Sequence, residues 1–140
     1  MNDRFFLDTN IFAYSFDQVA REKADRAKKL IAKAISTRKG VVSYQVVQEF
    51  FNLALTKFPQ PITLSDAEQY LAVVFRPLVA VQSSQTLFTR ALHLKVRNRL
   101  GWYDSLIVAA ALEGECKLLY TEDLQHGQRF GELQIQNPFL

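Results

Sequence analysis

The chain begins with a short apolar run that stops at a carboxylate, Arg4-Phe5-Phe6-Leu7-Asp8-Thr9-Asn10. An apolar run of this length is typical of a buried strand, and Asp, Thr and Asn favour the residues that open a helix. The pattern therefore predicts a strand ending at Leu7 and a helix directly after it. Asp8 would then lie at the carboxyl end of the strand, where α/β sheets bind their ligands.

Three further carboxylates occupy comparable places. Glu49 lies early in a predicted helix, Asp104 precedes an Ala-rich helix, and Asp123 follows a predicted strand. Because parallel strands end at a common edge, we expect these acids to lie near Asp8. Clustered carboxylates cannot all ionise unless their pKa values rise or a cation joins them, and a hard divalent ion prefers oxygen ligands. The pattern predicts metal-dependent phosphate chemistry.

Each acid also has a simpler interpretation. Asp8 and Asp104 suit the first turn of a helix as caps or through the helix dipole, and Glu49 can be paired or exposed at an edge. Glu122 stands beside Asp123, so either of the two can face the site while the other caps a final turn.

Strands and helices are predicted to alternate along the whole chain. The predicted strands cover 4–7, 41–42, 78–81, 117–120 and 133–136, and the predicted helices cover 11–16, 19–37, 44–57, 65–76, 84–99 and 103–112. Gly40 is expected to end the second helix, the Ser65–Glu68 pattern to open the fourth as a capping box, and Leu87, Ala91, Leu92 and Val96 to form an inner helix face. This alternation predicts an α/β fold, a three-layer α/β/α sandwich with a short central parallel sheet, as a single domain over residues 1–140.

Composition and charge limit the classes of protein to consider. The chain is 49% hydrophobic and 22% charged, which is typical of a folded globular domain, and no apolar stretch approaches the ~20 residues of a membrane span. A lone cysteine, Cys116, and the lack of a signal-peptide pattern predict a cytoplasmic protein. Residues 20–40 contain eight basic and two acidic residues. This stripe, which includes Lys28 and Lys29, fits a polyanionic partner or a solvated helix face.

Four short motifs in this order resemble those of a known family. They are Phe6-Leu7-Asp8-Thr9-Asn10-Ile11, Ser43 with Glu49, Tyr103-Asp104-Ser105-Leu106-Ile107, and Leu119-Tyr120-Thr121-Glu122-Asp123-Leu124. Together they resemble the PIN-domain nucleases, and within them the VapC-type toxins of toxin–antitoxin pairs, over essentially the whole chain. The resemblance implies endoribonuclease activity, Mg²⁺ or Mn²⁺ as cofactor, and inhibition by a cognate antitoxin.

The resemblance also implies roles for the residues of the motifs. The expected catalytic residues are Asp8, Glu49, Asp104 and Asp123, with Asp8, Asp104 and Asp123 holding the metal. Asn10, Ser43 and Thr121 are expected to hydrogen-bond the acids or to orient water.

Two surfaces are candidates for the macromolecular partners. Arg97, Arg99 and Trp102 precede Asp104 and are candidates for RNA binding, by phosphate contact and base stacking, although Trp102 can instead pack in the core. The apolar run from Phe50 to Leu55, with Phe58, is a candidate surface for a homodimer or an antitoxin, or else core.

Two rival functions stay open at this stage. A phosphatase with an aspartyl nucleophile would place a second acid two residues after Asp8, where this chain has Asn10. A non-catalytic binding module, similar to a response regulator, would use the acids merely as helix caps.

Overall fold

The computed structural model describes residues 3–140 and shows a six-stranded sheet in the order β3-β2-β1-β4-β6-β5. The strands are β1 Phe5–Leu7, β2 Gly40–Ser43, β3 Val79–Val81, β4 Leu118–Tyr120, β5 Arg129–Phe130 and β6 Leu133–Gln136. Neighbouring strands pair in parallel except β5 and β6, which are antiparallel. The helices are α1 Thr9–Tyr14, α2 Arg21–Thr37, α3 Tyr44–Thr56, α4 Leu64–Tyr70, α5 Arg76–Leu78, α6 Gln85–Asn98 and α7 Trp102–Glu113.

Strands β1 and β2 are covered on both faces of the sheet. Every residue of β1 and of β2 is buried, although successive side chains of a strand point to opposite faces. A parallel sheet buried in this way requires helices on both sides. The predicted α/β fold with a short, mostly parallel central sheet is confirmed. The two-residue strand β5 was missed, since it carries no periodic pattern.

Gly40 does not end a helix as the sequence predicted. Helix α2 ends at Thr37, and Arg38 adopts the left-handed conformation after it, with a φ of 60°. Gly40 is instead the first residue of β2, where a Cβ atom would overlap the side chain of Ala34 in α2. The glycine is needed because helix and strand approach closely there.

The segment around Pro77 also differs from the prediction. The helix begins at Leu64 rather than at Ser65, because the Thr63 hydroxyl caps it by accepting a hydrogen bond from the Asp66 N–H at 3.1 Å. It then continues through a π-helical segment, Leu71–Phe75, into α5 instead of stopping before Pro77. Pro77 is the second residue of the three-residue α5, and the helical segment ends one residue after it, at Leu78.

Helix α6 starts where the sequence predicted but buries a different face. The Ser84 hydroxyl accepts a hydrogen bond from the Leu87 N–H at 3.0 Å. Leu87 and Ala91 are buried, whereas Leu92 and Val96 are 52% and 82% exposed. The helix turns Phe88, Leu92 and Val96 outward together, and we call these three residues the α6 stripe. The prediction that Leu92 and Val96 belong to the inner face of this helix was therefore wrong.

The apolar run of α3 is mostly core. Phe50 is fully buried, and its ring centroid lies 4.9 Å from that of Tyr70 and 5.4 Å from that of Phe75. Ala54 is also buried, while Leu55 is 45% exposed. This packing fixes the position of α3, the helix that carries Glu49.

No helix within residues 3–140 is long and apolar enough to cross a membrane.

Candidate active site

Asp8 is a carboxylate that the fold buries at the carboxyl end of β1, with 5% of the residue exposed. Its Oδ1 accepts a hydrogen bond from the Thr9 N–H at 2.7 Å, and its Oδ2 accepts one from the Thr121 hydroxyl at 2.8 Å. Asp8 therefore does cap α1, as the simpler interpretation held. The capping bond uses Oδ1 of Asp8, and the bond to Oδ2 joins Asp8 to Thr121 in the loop after β4.

Asn10 links Asp123 to the same loop. The Asn10 amide nitrogen donates to Asp123 Oδ2 at 3.1 Å and to the Thr121 hydroxyl oxygen at 3.3 Å. The backbone N–H of Asp123 also donates to the Thr121 oxygen, at 3.1 Å. Thr121 thus contacts both Asp8 and the Asp123 backbone, and the sequence-based expectation that Asn10 and Thr121 hydrogen-bond the acids agrees with this geometry.

Glu49 is oriented by two residues that the sequence analysis did not single out. The Thr9 hydroxyl donates to Glu49 Oε1 at 2.7 Å, and the Gln45 amide donates to Glu49 Oε2 at 3.3 Å. Gln45 also donates to the backbone carbonyl of Tyr103 at 3.4 Å, next to Asp104. Gln45 precedes Glu49 by four residues on one helix, a spacing that places side chains on the same face. That spacing could have predicted the Gln45–Glu49 contact. The Thr9–Glu49 contact joins distant segments of the chain, so no local sequence pattern predicts it.

Asp104 stands in the first turn of α7 but does not cap it. The N-cap residue is Gly101, and no side chain makes a capping bond there. A Cβ atom at Gly101 would lie 3.6 Å from Asp104 Oδ2, an ordinary contact, so the carboxylate lies beside the helix start. The capping interpretation does not explain Asp104.

The pKa values of Asp8 and Asp104 are both raised in part by the charges of Glu49 and Asp123. Burial raises the pKa of Asp8 to about 7, against the hydrogen bonds from Thr121 and Thr9, and the charges of Asp123 and Glu49 raise it further. Burial also raises the pKa of Asp104, and Asp123 and Glu49 again add to the effect. The same two carboxylates therefore face both Asp8 and Asp104.

Glu122, the neighbour of Asp123, points elsewhere. Its carboxylate forms an ion pair with the Lys23 ammonium at 2.7 Å, and the pKa of Glu122 is lowered by hydrogen bonds with Lys23 and Tyr14 despite partial burial. No helical turn follows β4, so neither acid caps one. Of the two carboxylates, Asp123 is the one that faces Asp8.

Two buried polar atoms beside the acids lack a hydrogen-bond partner within residues 3–140: Asn10 Oδ1 and Ser43 Oγ. Ser43 occupies the N-cap position of α3 but makes no capping bond. Its predicted contact with the acids is not seen. Its hydroxyl instead borders a small cavity that also includes Gln45 and Tyr103.

The donors at this edge fit a hard divalent ion. They are carboxylate, amide and hydroxyl oxygens, and the unpartnered Asn10 Oδ1 adds a neutral ligand. Within the described residues 3–140, no three His, Cys, Asp or Glu side chains are already gathered as a metal-binding group. The acids are therefore less tightly clustered than the sequence led us to expect, which suits an ion that keeps several waters and binds one or two carboxylates.

Of the predicted RNA-binding residues, Arg97 does not share a cavity with the acids. Arg97 borders a groove of about 980 Å³ together with Arg90, His93 and Arg129, and none of the four acids lines this groove. We call it the arginine groove. Arg99 is exposed and left-handed, with a φ of 56°. Trp102 is half-buried, and its ring centroid lies 6.4 Å from that of Phe88.

Comparison with known proteins identifies the family. Residues 5–129 match the PIN domain family. The chain belongs to the PIN domain family. No curated protein sequence matches the chain.

Solved structures share the fold of this PIN domain. A toxin–antitoxin complex from Klebsiella pneumoniae is 19% identical with a TM-score of 0.66, over 95% of this chain and 96% of that one. The sarcin–ricin loop cleaving toxin VapC20 of Mycobacterium tuberculosis is 19% identical with a TM-score of 0.62, over 85% and 89%. VapBC2 from Rickettsia felis, bound to a DNA fragment from its promoter, is 17% identical with a TM-score of 0.62, over 95% and 97%. At these identities the likeness establishes the fold alone.

The buried carboxyl of Asp8 predicts how the stability of the PIN domain depends on pH. In metal-free buffer the free energy of unfolding should fall as the pH rises from about 4 to about 7, because folded Asp8 keeps a proton that the unfolded chain releases at its ordinary pKa of 3.8. The total fall attributable to Asp8 is roughly 4 kcal/mol. Urea unfolding at several pH values measures it, and Asp8→Asn should flatten the curve.

An exposed acid provides the control for this measurement. Asp25 lies on the outer face of α2, so Asp25→Asn should leave the pH dependence of wild type intact. A curve for Asp8→Asn as steep as that of wild type would contradict the burial of an ionisable Asp8.

Proposed function

We propose that this chain is a metal-dependent endoribonuclease and the VapC-type toxin of a toxin–antitoxin pair. The observation that carries the proposal is the buried Asp8, held at the sheet edge by Thr121 and close to the charges of Glu49 and Asp123. A carboxyl group with its pKa raised among like charges is typical of a functional site rather than of a helix cap. Residues 1–140 would act as a single nuclease domain in the cytoplasm, where its RNA substrate is made.

The functions of structurally similar proteins support this proposal. One of them is described as a toxin that cleaves the sarcin–ricin loop, and others are toxin–antitoxin complexes. The match covers 95% of this chain in two of these comparisons, and 96% and 97% of the other two chains. A cognate antitoxin is the partner that this comparison favours.

The cofactor would be Mg²⁺, with Mn²⁺ as a substitute. Asp8, Asp104 and Asp123 would hold it, with Asp123 bound directly or through water. When bound, the ion neutralises charge on the phosphate and lowers the pKa of a bound water.

The chain's own side chains would orient the reaction. Thr121 and the Thr9 N–H hold the two oxygens of Asp8, and Asn10 holds Asp123, so neither carboxylate has to be immobilised when substrate arrives. Glu49, held by hydrogen bonds from Thr9 and Gln45, would accept a hydrogen bond from the attacking water. Such prior orientation is what a hydrolytic site needs for in-line attack on phosphorus.

The rival phosphatase function is not favoured by this geometry. Asn10 stands where the second acid of an aspartyl phosphatase would stand, and its amide is already engaged with Asp123 and Thr121. The non-catalytic rival predicts that Asp8 and Asp104 have no role in turnover.

Substrate RNA would follow basic residues toward the acids. Arg97 lies in the arginine groove, where Arg90, His93 and Arg129 can also meet phosphates. Arg99 and Trp102 extend this surface toward Asp104. Lys28 and Lys29, both exposed on α2, form the alternative path.

The protein is further proposed to form a homodimer. The α6 stripe supports this, since Phe88, Leu92 and Val96 are 43%, 52% and 82% exposed along one helix face. An exposed apolar stripe of this kind is typical of an interaction surface. Phe50, the centre of the sequence-predicted surface, is core and contributes nothing to it.

Removing either central acid should abolish cleavage of RNA. Asp8→Asn and Asp104→Asn keep the size of the side chain but remove a negative charge that the cofactor requires, so the cleavage rate should fall at least ~100-fold. The measurement is the cleavage of single-stranded RNA in Mg²⁺ and in Mn²⁺, with loss of activity in EDTA.

Glu122→Gln is the matched control, because Glu122 is a carboxylate next to Asp123 that pairs with Lys23 instead. It should cleave at nearly the wild-type rate. Wild-type turnover by Asp8→Asn, or full activity in excess chelator, would refute the proposal.

The salt dependence of RNA binding should identify the RNA path. Replacing both Arg97 and Arg99 by Ala should weaken binding to all sequences and reduce the slope of log affinity against log salt by about 0.7 per lost phosphate contact. The control is the double variant Lys57→Ala/Arg76→Ala, which removes the same charge elsewhere on the surface. An unchanged slope in the Arg97/Arg99 variant would assign the path to Lys28 and Lys29.

A further inference from the structure

A small cavity lies beside the acids and has no role in the chemistry described above. It has a volume of about 100 Å³ and lies where β2 and β3 end and where α3 and α7 begin. Its polar lining comprises Ser43, Tyr44, Gln45, Gln48, Gln82, Ser83 and Tyr103. We call it the glutamine cavity.

The chemistry of the glutamine cavity is neutral. None of the described residues that line it is Asp, Glu, His, Lys or Arg. Its three glutamine amides can each donate and accept hydrogen bonds. The lining offers no cation to a phosphate, and its amide and hydroxyl groups suit an uncharged group with both donors and acceptors.

One polar group in this lining is unsatisfied. Ser43 is 3% exposed, and its hydroxyl has no hydrogen-bond partner within residues 3–140. Folded proteins rarely leave a buried polar group without a partner, so an unsatisfied one indicates a missing partner. Here the hydroxyl borders an open cavity, and a ligand or a water in that cavity can satisfy it.

The volume of the cavity is suited to the edge of one ring. A volume of about 100 Å³ exceeds the ~30 Å³ of a single water and falls well below the ~300 Å³ of a typical small-molecule pocket. Two aromatic residues of the lining, Tyr44 and Tyr103, are 45% and 66% exposed, so their rings are available for stacking. Unpaired bases stack on exposed aromatic side chains and are read by hydrogen bonds along their edges.

The cavity is also close to the acids. Gln45 lines it and donates hydrogen bonds both to Glu49 and to the carbonyl of Tyr103. Tyr103 lines it as well and directly precedes Asp104. A base placed in the cavity would therefore belong to a nucleotide next to the phosphate that the acids meet.

We propose that the glutamine cavity receives one unpaired base next to the scissile phosphate and so selects the cleavage sequence. This inference rests on the proposed nuclease function. Gln48 and Gln82 read the base edge, Tyr44 and Tyr103 stack on its face, and the Ser43 hydroxyl gains a partner. Gln82 is already held in place, because its amide donates to the Tyr44 hydroxyl at 3.5 Å. The arginine groove holds the backbone and contributes no base preference.

Binding without turnover tests the cavity separately from the nuclease. Homopolymeric oligoribonucleotides of A, C, G and U are titrated in excess EDTA and followed by fluorescence anisotropy. Wild type should prefer one of them by about fivefold or more, which is the discrimination expected from one amide-read base. Gln48→Ala and Gln82→Ala should each reduce this preference to less than about twofold.

The matched control is Gln60→Ala, an exposed glutamine in the loop between α3 and α4, which should keep the full preference. Ser43→Ala should also lose preference without losing thermal stability, since it removes a hydroxyl that the folded chain leaves unsatisfied. Sequencing of cleavage products from a randomised RNA should show the same base beside the cut in wild type and its loss in Gln82→Ala.

The outcomes are distinguishable. Base preference that depends on Gln48 and Gln82 supports the cavity even if no RNA is cleaved, in which case the nuclease proposal alone fails. No binding, equal binding of all four homopolymers, or a preference that survives in both glutamine variants overturns the inference. A base preference that survives in both glutamine variants is also expected if the cavity binds a protein side chain instead of a base.

Discussion

The burial of a carboxylate at Asp8 is the constraint on which the site depends. Leu7 and Phe6 must be buried to form the centre of the sheet, and Asp8 follows them into the interior before the chain turns into α1. A buried carboxylate is unfavourable unless hydrogen bonds or a cation compensate it. Thr121, at the end of the neighbouring strand β4, supplies one of those hydrogen bonds. The pairing of β1 with β4 therefore positions the acid as well as building the sheet.

From this contact the network extends in two directions. Thr121 and Asn10 lead to Asp123, while Thr9 leads to Glu49 and then through Gln45 to the start of α7. The segments after β1, after β4, in α3 and in α7 are thus joined at one edge. The arginine groove and the glutamine cavity differ in chemistry, since the groove is basic and the cavity is neutral. Phosphate contacts position a nucleic acid strand, whereas base contacts determine its sequence. Under the proposed function, the arginine groove would make the phosphate contacts and the glutamine cavity the base contacts.

Much of the fold could be predicted from periodicity and helix-capping residues, and the acids could be predicted from their places after strands. Local signals failed where packing decided the outcome. Gly40 is a glycine because Ala34 is near, and Leu92 and Val96 are exposed because Leu87 and Ala91 set the buried face of α6. The Thr9–Glu49 contact joins residues forty positions apart and leaves no local pattern. The choice between Glu122 and Asp123 depended likewise on Lys23, a distant residue.

We propose that Asp8 and its neighbours form a divalent-metal site in the folded chain. Thermal unfolding with and without Mn²⁺ tests this directly. A ligand that binds only the folded state raises the melting temperature with concentration, by about 2.7 kcal/mol of stability at a hundredfold excess over the dissociation constant. Wild type and Glu122→Gln should show such a rise, and Asp8→Asn should not. An equal rise in Asp8→Asn, or none in wild type, would contradict it.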